Sequence, residues 1–239
     1  MSAPDTVMLL AAGLGTRMRP LTNTQPKSLI KVGGRALIDW CLDLARGGGA
    51  AKAVVNMHYL AEQIAAHFKG RADVTLSDER THLLDTGGGV VKALPLLGGK
   101  PFFVMGTDAV IVDRGANSAR RLVDAWNDVT TDCIMLLHPR ETAQGFDGGG
   151  DFFCDSGGRL TRRGSAATAP YVYAGIYVMH PRALVDQTAE PFSMNKVWDR
   201  LIAADRLRGV IHDGYWFHVG TPEAVAPTTA ALIALGLSR

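Results

Sequence analysis

Cysteine is scarce in this chain, and long hydrophobic runs are absent. Its 239 residues include three cysteines, Cys41, Cys133 and Cys154, which are widely spaced and form no C-x-x-C pair. This usage excludes a disulfide framework and a zinc site of the usual spacing, and it indicates reduced thiols. The apolar run near the N-terminus is only about six residues long, too short for a signal peptide or a membrane-spanning helix. We therefore predict a cytoplasmic protein with no membrane segment.

The chain also has no large excess of positive or negative charge. The formal net charge is +2 at pH 7, so no strong field surrounds the whole protein. The cations that stand out are local, because Arg17, Arg19, Lys27 and Lys31 lie close together in the sequence. Such a cluster favours a small anionic ligand over nucleic acid, which usually needs a broader basic face. With 47% hydrophobic residues the chain can bury one substantial core, and we predict a single domain over residues 1–239.

Both standard phosphate-binding motifs are missing near the N-terminus. The sequence G-x-x-x-x-G-K-[ST] does not occur, and G-x-G-x-x-G fails because position 18 is Met18. Instead, an apolar run at 7–10 ends in Ala-Ala-Gly-Leu-Gly-Thr-Arg at 11–17, and Lys27 follows a proline. Glycine turns let backbone N–H groups approach an anion, and fixed cations complete a polyphosphate site. A glycine turn after a first strand is also common in α/β proteins, so the turn alone leaves both interpretations open.

Strand-like and helix-like segments alternate through the first half of the chain. This alternation predicts an α/β fold with a mostly parallel, Rossmann-like twisted sheet and helices on both faces. The segment 145–163 is rich in Gly, Asp and Ser, and it predicts hairpins of a small β-rich lobe. Ligands of such sheets bind at the carboxyl ends of the strands, where the glycine turn and Asp108 both lie. The predicted strands are 7–10, 53–56, 102–105, 133–137, 151–154, 159–161 and 171–179, and the predicted helices are 36–45, 60–68, 90–97, 118–127, 194–204 and 222–235.

Four stretches together resemble the sugar-1-phosphate nucleotidylyltransferases, also called nucleotide-sugar pyrophosphorylases. The first is L-A-A-G-x-G-T-R-M-x-P-L-T…P-K at 10–27, and the second is L-D-T-G-G-G-V-V-K-A-L-P-L-L at 84–97. A strand that ends in Gly-Thr-Asp at 106–108 and the late element W-F-H-V-G-T-P-E at 216–223 are similar as well. The resemblance covers about residues 6–225, nearly the whole chain. It implies a nucleotide-binding half at 1–140 and a sugar-binding half at 141–239.

This resemblance implies one reaction, in which a nucleoside triphosphate and a sugar 1-phosphate give a nucleotide-sugar and pyrophosphate. The sugar phosphate is itself an ionised nucleophile, so no general base is needed and catalysis rests on positioning and charge neutralisation. Within the family, the second stretch and the short length favour UTP and N-acetylmuramic acid 1-phosphate, in cell-wall sugar recycling. Guanylyl or other nucleotidylyl transfer to mannose, heptose or glucose 1-phosphate stays open, as does a non-catalytic module that senses nucleotide-sugars.

The resemblance also implies roles for individual residues. Arg17 is expected to stabilise the leaving pyrophosphate, Lys27 to hold the α-phosphate or the incoming phosphate, and Asp108 to hold Mg²⁺. These three are the catalytic candidates. The other candidates are nucleotide-binding (Ala11, Ala12, Gly13, Gly15, Thr16, Thr86, Gly87, Gly88 and Gly106, together with Arg17 and Lys27) or sugar-binding (Gly150, Asp151, Tyr173 and Gly175).

His218 is the main departure from the family pattern. The late element normally has an aspartate at this position as a second metal ligand, whereas this chain has histidine. Imidazole suits softer metals than Mg²⁺, which brings Mn²⁺ or Co²⁺ into consideration. Four interpretations stay open: direct ligation of such a metal, contact with Mg²⁺ through water, contact with phosphate, or a structural histidine beside a single-carboxylate Mg²⁺ site.

A second departure is the missing E-K-P element before the strand 171–179, whose lysine grips the sugar phosphate in many relatives. Either Arg162 or Arg163 substitutes for that lysine, or both are solvated. We expect no domain of hexapeptide repeats or helices, of the kind that assembles some relatives, after the closing helix. We therefore expect a monomer or simple homodimer that binds a nucleoside triphosphate and a sugar 1-phosphate, with no nucleic acid or membrane partner.

Overall fold

Thirteen strands and six α-helices make up residues 4–237, the part of the chain that a computed structural model describes. The strands are β1 (Thr6–Leu10), β2 (Lys31–Val32), β3 (Arg35–Ala36), β4 (Lys52–Met57), β5 (Val74–Asp78), β6 (Phe102–Gly106), β7 (Ala109–Val112), β8 (Cys133–Pro139), β9 (Phe152–Cys154), β10 (Leu160–Arg162), β11 (Tyr171–Met179), β12 (Leu207–Ile211) and β13 (Tyr215–His218). The helices are α1 (Leu37–Gly47), α2 (Ala61–His67), α3 (Asp85–Leu97), α4 (Ser118–Asp124), α5 (Asn195–Ala203) and α6 (Val225–Ala234).

The main sheet is built around β1. Strands β4 and then β5 lie on one side of β1 and strand β6 on the other, and all four are parallel. Strand β11 pairs antiparallel with β6, and β8, β9, β10 and β12 extend the sheet from there. The predicted α/β fold with a parallel central sheet is therefore confirmed. Four strands of the second half, β9, β10, β11 and β12, continue this same sheet, and the division into halves at residue 140 stays a prediction.

Burial of β1 on both faces explains why helices cover both sides of the sheet. Val7 and Leu9 pack on one face, in a buried cluster that includes residues of α1, α2 and α4. Met8 points to the other face and packs in a cluster that includes residues of α3 and α5. Successive side chains of a strand point to opposite faces, so an unbroken apolar run requires two covered faces.

Most predicted elements are confirmed with shifted boundaries. The predicted helix 118–127 ends at Asp124, and its N-cap is Asn117, whose Oδ1 accepts a hydrogen bond from the Arg120 N–H at 3.0 Å. The predicted helix 222–235 is divided into a 3₁₀ turn at Pro222–Ala224 and helix α6. The predicted helix 90–97 begins five residues earlier, at Asp85. Strands β2, β3, β5, β7, β12 and β13 have no counterpart in the sequence-based prediction.

The small antiparallel sheet of β7 and β13 places the late sequence element beside the end of β6. Asp108 lies between β6 and β7, and His218 pairs in register with Ala109. The Val219 N–H donates to the Asp108 carbonyl at 2.8 Å, which fixes the two segments together. Among residues 4–237, no helix combines the length and the apolar character that crossing a membrane requires.

Candidate functional site

A cavity of about 390 Å³ opens at the carboxyl ends of β1 and β6. This is the edge at which open parallel sheets bind their ligands. The glycine turn, the cation pair and the aspartate that the sequence analysis selected all contribute to it. The residues that line it are Leu10, Ala11, Ala12, Gly13, Gly15, Thr16, Arg17, Met18, Lys27, Ser28, Asn56, Leu83, Asp85, Thr86, Gly106, Thr107, Asp108 and Gly220.

The turn after β1 is held in shape by residues that follow it. Gly15 has a φ of +61°, and a Cβ there would lie 2.8 Å from Thr22 Cγ2, so the position requires glycine. The Thr22 hydroxyl donates to the Gly15 carbonyl at 2.8 Å. Gly13, in contrast, has no atom within 4 Å of the position of a Cβ. The turn therefore presents a bare backbone to the cavity, as close approach of an anion requires.

Lys27 and Asp108 form an ion pair within the cavity. The Lys27 Nζ lies 3.5 Å from Asp108 Oδ2, and the exposed fractions of the two side chains are 16% and 40%. Burial lowers the pKa of the Lys27 ammonium, the Asp108 carboxylate acts in the opposite direction, and the Arg17 guanidinium lowers it further. Arg17 itself is exposed and lines the cavity. Two cations and one carboxylate thus converge where the sequence analysis expected phosphates and a metal.

His218 lies next to Asp108, on the neighbouring strand β13. Its Nε2 is 3.9 Å from Asp108 Oδ2, and its Nδ1 is 3.2 Å from the Gly145 carbonyl oxygen. The ring stacks on Trp216 with a centroid distance of 5.7 Å. A hydrogen bond from Nδ1–H to the Gly145 carbonyl leaves the lone pair on Nε2, the arrangement typical of metal-ligating histidines.

Asp108 and His218 together fit a site with few protein ligands. Neighbouring ligand atoms each about 2.0–2.2 Å from one metal ion lie about 3.0–3.6 Å apart. Nε2 and Oδ2 are 3.9 Å apart, so a shift of a few tenths of an ångström would bring both to one ion. Within residues 4–237, no group of three or more His, Cys, Asp or Glu side chains could hold a metal ion. The remaining ligands of a cation bound here would therefore be phosphate and water oxygens.

Gly87 and Gly88, which the resemblance implied as nucleotide-binding residues, are not part of the cavity wall. They lie inside helix α3, are buried and do not line the cavity. The Gly87 N–H donates to the Phe192 carbonyl at 2.8 Å, and a Cβ at Gly88 would lie 2.1 Å from the Glu190 carbonyl oxygen. Because these two positions have no side chain, residues 190–194 can pack directly against the first turn of α3. Thr86 does line the cavity, and its Oγ1 accepts a hydrogen bond from the Met194 N–H at 2.9 Å.

The contact between α3 and residues 190–194 leads to a stability prediction. Gly88→Ala is expected to lower the free energy of unfolding by about 1–3 kcal/mol, because its methyl group would overlap the Glu190 carbonyl. Gly99→Ala is the matched control, since a Cβ at Gly99 would have no atom within 4 Å. Urea unfolding of both variants measures the difference. Equal stability of the two variants would contradict the packing role of Gly88.

The predicted sugar-binding residues lie outside this cavity lining, in the second half of the sheet. Asp151 Oδ2 accepts a hydrogen bond from the Tyr173 N–H at 2.9 Å, and the Tyr173 ring packs on Trp198 at 4.9 Å. Gly150 has a φ of +86°, and its missing side chain leaves room for the Ala169 carbonyl. Gly175, with a φ of +96°, lies at the irregularity of β11 near Ala109. These contacts maintain the local fold, and a role in sugar binding stays a prediction.

Arg162 and Arg163, the two candidates for replacing the family lysine, both contact neighbouring residues, and a role of either in phosphate binding stays a prediction. Arg162 Nε donates to Asp199 at 2.7 Å, and its guanidinium lies 4.7 Å from the centre of the Phe152 ring. The Arg163 guanidinium donates to the carbonyls of Ala166 and Ala167 at 3.3 and 3.5 Å. Both arginines therefore contribute to contacts within the second half of the chain.

Asn56 is a cavity residue that the sequence analysis did not assign. Its Oδ1 accepts a hydrogen bond from the Ala11 N–H at 2.7 Å, and its Nδ2 donates to Glu79 at 2.8 Å. Burial raises the pKa of the fully buried Glu79, whose carboxylate also accepts from the Leu84 N–H. This chain of hydrogen bonds joins the glycine turn to the start of α3. The signal available in the sequence was a polar residue near the end of a buried strand.

Comparison with known proteins indicates the family of this chain. The model of the protein family described as nucleotidyl transferase matches residues 6–233. The N-acetylmuramate alpha-1-phosphate uridylyltransferase of Caulobacter vibrioides is 39% identical over 236 residues, covering 96% of this chain and 98% of that protein. The protein of the same description from Neisseria meningitidis serogroup B is 33% identical, covering 90% and 92%. A crystal structure of a putative glucose-1-phosphate thymidylyltransferase from Bacillus anthracis shares the fold with a TM-score of 0.78, at 14% identity and 95% and 94% coverage.

Proposed function

The chain belongs to the nucleotidyl transferase family, and from that premise we propose that it transfers UMP from UTP to N-acetylmuramic acid 1-phosphate and releases pyrophosphate. The enzyme is a sugar-1-phosphate nucleotidyltransferase. The observation that carries the proposal is the convergence of Arg17, Lys27 and Asp108 on one cavity beside the glycine turn. The choice of base and sugar is supported by the two uridylyltransferases that are similar over nearly the whole chain.

The proposed mechanism is a direct displacement at the α-phosphorus of UTP. The phosphate oxygen of the sugar 1-phosphate attacks as pyrophosphate leaves, and no side chain has to remove a proton or form a covalent bond. The main barrier is repulsion between two polyanions, which fixed cations reduce. Arg17 is suited to the β- and γ-phosphates because its guanidinium can hold two oxygens at once. Lys27 contributes a point charge to the α-phosphate or the incoming phosphate.

The ion pair between Lys27 and Asp108 keeps both groups in place before the substrates bind. Asp108 holds the Lys27 ammonium in the cavity, where its partly buried position would otherwise favour the neutral amine. An incoming phosphate would replace Asp108 as the partner of Lys27. The Asp108 carboxylate would then be free to hold a metal ion. Asp108 and His218 would hold that ion, Mg²⁺ or the softer Mn²⁺ or Co²⁺, which supplies charge neutralisation at the phosphates.

The histidine at position 218 leads to a prediction on metal preference. Wild type is expected to be more active with Mn²⁺ or Co²⁺ than with Mg²⁺, because an imidazole ligand suits the softer metals. His218→Asp is expected to shift the ratio of Mn²⁺-supported to Mg²⁺-supported turnover towards Mg²⁺ by at least about tenfold, because even changes beside a metal ligand alter metal affinity by about 10- to 100-fold. Pyrophosphate release, measured over a concentration series of each metal, gives this ratio.

The control for this experiment is His82→Asp, which introduces the same charge at an exposed histidine outside the cavity lining. It should leave the metal ratio unchanged. Identical metal profiles for wild type and His218→Asp would contradict ligation by His218 and leave Asp108 as the protein ligand.

A screen of substrates tests the proposed function. UTP, dTTP, CTP, GTP and ATP are each combined with the 1-phosphates of N-acetylmuramic acid, N-acetylglucosamine, glucose, mannose and heptose, and pyrophosphate release is measured. We expect UTP with N-acetylmuramic acid 1-phosphate to give the highest kcat/KM. A guanylyltransferase would instead give its highest kcat/KM with GTP and mannose or heptose 1-phosphate. Binding of nucleotide-sugars with no pyrophosphate release from any pair would indicate a sensing module.

We also propose that the enzyme works in cell-wall sugar recycling in the cytoplasm, as a monomer or simple homodimer. The three separated cysteines support a reducing compartment. Light scattering during size-exclusion chromatography measures the oligomeric state, and a tetramer or larger assembly would contradict this part of the proposal.

A further inference from the structure

Glu79 is a fully buried carboxylate directly behind the wall of the cavity. It follows strand β5, and no part of the residue is exposed to solvent. Burial raises the pKa of its carboxyl group, and the nearby charges of Lys92 and His58 act in the opposite direction without forming an ion pair with it among residues 4–237. Burying a charged group without an ion pair is costly, so the position requires an explanation.

Both carboxylate oxygens of Glu79 accept hydrogen bonds from segments that form the cavity. Oε1 accepts from Asn56 Nδ2 at 2.8 Å, and Oε2 accepts from the Leu84 N–H at 3.4 Å. Asn56 lines the cavity on the side of the glycine turn, and Leu84 directly precedes the cavity residues 85 and 86 at the start of α3. A single buried carboxylate therefore connects two walls of the cavity.

The orientation of the Asn56 amide is determined by its two partners. The Ala11 N–H lies 2.7 Å from Asn56 Oδ1, and because a backbone N–H can only donate, the oxygen of the amide must face it. The amide nitrogen then faces Glu79, where only an acceptor satisfies it. A carboxylate meets this requirement and accepts from Leu84 with its second oxygen. A glutamine could satisfy one of these donors with its oxygen, but its own N–H groups would face the other.

Gly89, to which the sequence analysis gave no role, leaves room for this pair. It lies within helix α3 and is buried. A Cβ at this position would lie 2.8 Å from Glu79 Oε1 and 2.9 Å from Asn56 Nδ2, closer than packed atoms approach each other. A side chain here would therefore push the two partners apart. The third glycine of the Thr-Gly-Gly-Gly stretch is explained by the hydrogen bond between Glu79 and Asn56.

We propose that Glu79 is a positioning residue for the nucleotide, an inference that rests on the proposed function. One of its oxygens holds the Asn56 amide, which in turn holds the Ala11 N–H at the start of the glycine turn. The other oxygen holds Leu84 at the start of α3. The two walls thus keep a fixed separation before the nucleotide binds, and such preorganisation raises affinity because less has to be ordered on binding. Glu79 itself does not line the cavity.

An exchange of the two side chains tests this proposal. Glu79→Gln alone turns amide hydrogens towards the N–H of either Asn56 or Leu84, and Asn56→Asp alone places two carboxylates opposite each other. Combining Asn56→Asp with Glu79→Gln restores every hydrogen bond with the charge moved by one position. The new carboxylate then accepts from the Ala11 N–H and from the new glutamine, whose oxygen accepts from Leu84.

Isothermal titration calorimetry with UTP and Mg²⁺ measures the Kd of each variant. Each single substitution is expected to weaken binding of UTP by at least about tenfold, the effect of an unmet buried polar group. The double variant is expected to bind at least about tenfold more tightly than the product of the two single effects predicts. At saturating substrates kcat should change less than the KM for UTP, because Glu79 and Asn56 form no hydrogen bond or ion pair with Lys27 or Asp108 among the described residues.

The matched control is Glu62→Gln, the same substitution at an exposed glutamate of helix α2 that pairs with Arg80. Glu62 is not part of the cavity lining, so its Kd for UTP should equal that of wild type. Melting temperatures of all variants measure the stability of the fold separately. A lower melting temperature of Glu79→Gln with an unchanged Kd would contradict the proposal, because the residue would then support only the fold.

A Kd for UTP within about twofold of wild type in folded Glu79→Gln overturns the inference, and so do single effects that simply multiply in the double variant. If a single variant does not fold, the folded double variant is compared with wild type. A Kd within about tenfold then supports the exchange, and a larger loss contradicts it. Failure of the proposed function has a different signature, because the wild type would then bind another nucleotide in place of UTP, and the same comparison is made with that nucleotide.

Discussion

Asp108→Asn is expected to lower turnover by at least about 10²-fold, the scale of losing a key electrostatic group in an active site. Asparagine keeps the size of the side chain but removes the negative charge that faces Lys27 and His218. The neutral amide of asparagine is a poorer metal ligand than a carboxylate. The substitution also removes the negative charge that raises the pKa of Lys27 against the effect of burial. The fold should be preserved, because the side chain is 40% exposed and lies outside the hydrophobic clusters.

Initial rates of pyrophosphate release and a thermal melt measure the two expected results separately. The control is Asp124→Asn, which removes a carboxylate from an exposed pair with Arg120 on helix α4 and should leave turnover unchanged. Near-normal turnover of Asp108→Asn with Mg²⁺ would show that Asp108 does not hold the metal. A large fall in the melting temperature would instead indicate that the loss of turnover arises from the fold.

Lys27→Ala is expected to weaken binding of the nucleotide or the sugar phosphate in the transition state by about 1.5–3 kcal/mol, the usual contribution of a hydrogen bond to a charged group. The substitution removes one of the two cations of the cavity and leaves Asp108 without its partner at 3.5 Å. An uncompensated carboxylate then repels the phosphates that Lys27 would have attracted. The expected result is therefore a fall in kcat/KM of about 10- to 150-fold for the substrate whose phosphate Lys27 holds.

Varying UTP and the sugar 1-phosphate in turn shows which phosphate Lys27 contacts, because only that substrate should show the larger fall in kcat/KM. Lys31→Ala is the matched control, since Lys31 is exposed on strand β2 and does not line the cavity. Equal kcat/KM values for Lys27→Ala and Lys31→Ala would be inconsistent with a role for Lys27 in phosphate binding.

The first strand and its turn were predictable because every signal there is local. An apolar run with both faces covered, glycines and a proline-lysine pair lie within 25 residues, and the structure arranges them as β1, a turn and a cavity wall. Met18 was predictable as well. It occupies the position at which a dinucleotide motif would have its third glycine, and it is fully buried in a hydrophobic cluster.

The relation between Asp108 and His218 depends on pairing over more than 100 residues, which periodicity does not reveal. Strands β7 and β13 are four residues each, and the sequence analysis predicted neither of them. Only the resemblance to a family indicated that the two residues lie close together. Their separation of 3.9 Å follows from the register of these two strands.

The Thr-Gly-Gly-Gly stretch shows why a glycine motif cannot be assigned from composition alone. Glycine is disfavoured inside helices, so the predicted helix began only after the three glycines, at residue 90. In the structure, helix α3 continues through this stretch. Glycine is required at positions 87 and 88 because residues 190–194 pass so close that any side chain there would overlap them. That requirement comes from a segment about 100 residues away. It also leaves Asp85 and Thr86 as the cavity residues of this stretch.

Transfer of isotope from the sugar phosphate tests the central claim most directly. N-acetylmuramic acid 1-phosphate carrying ¹⁸O on its phosphate is incubated with UTP and the enzyme, and the products are analysed by mass spectrometry. Direct attack at the α-phosphorus places all of the label in the nucleotide-sugar and leaves the pyrophosphate unlabelled, with the two products formed in equal amounts. Labelled pyrophosphate, or release of UMP or phosphate without a nucleotide-sugar, would contradict the account of this cavity as a site of sugar-1-phosphate nucleotidyl transfer.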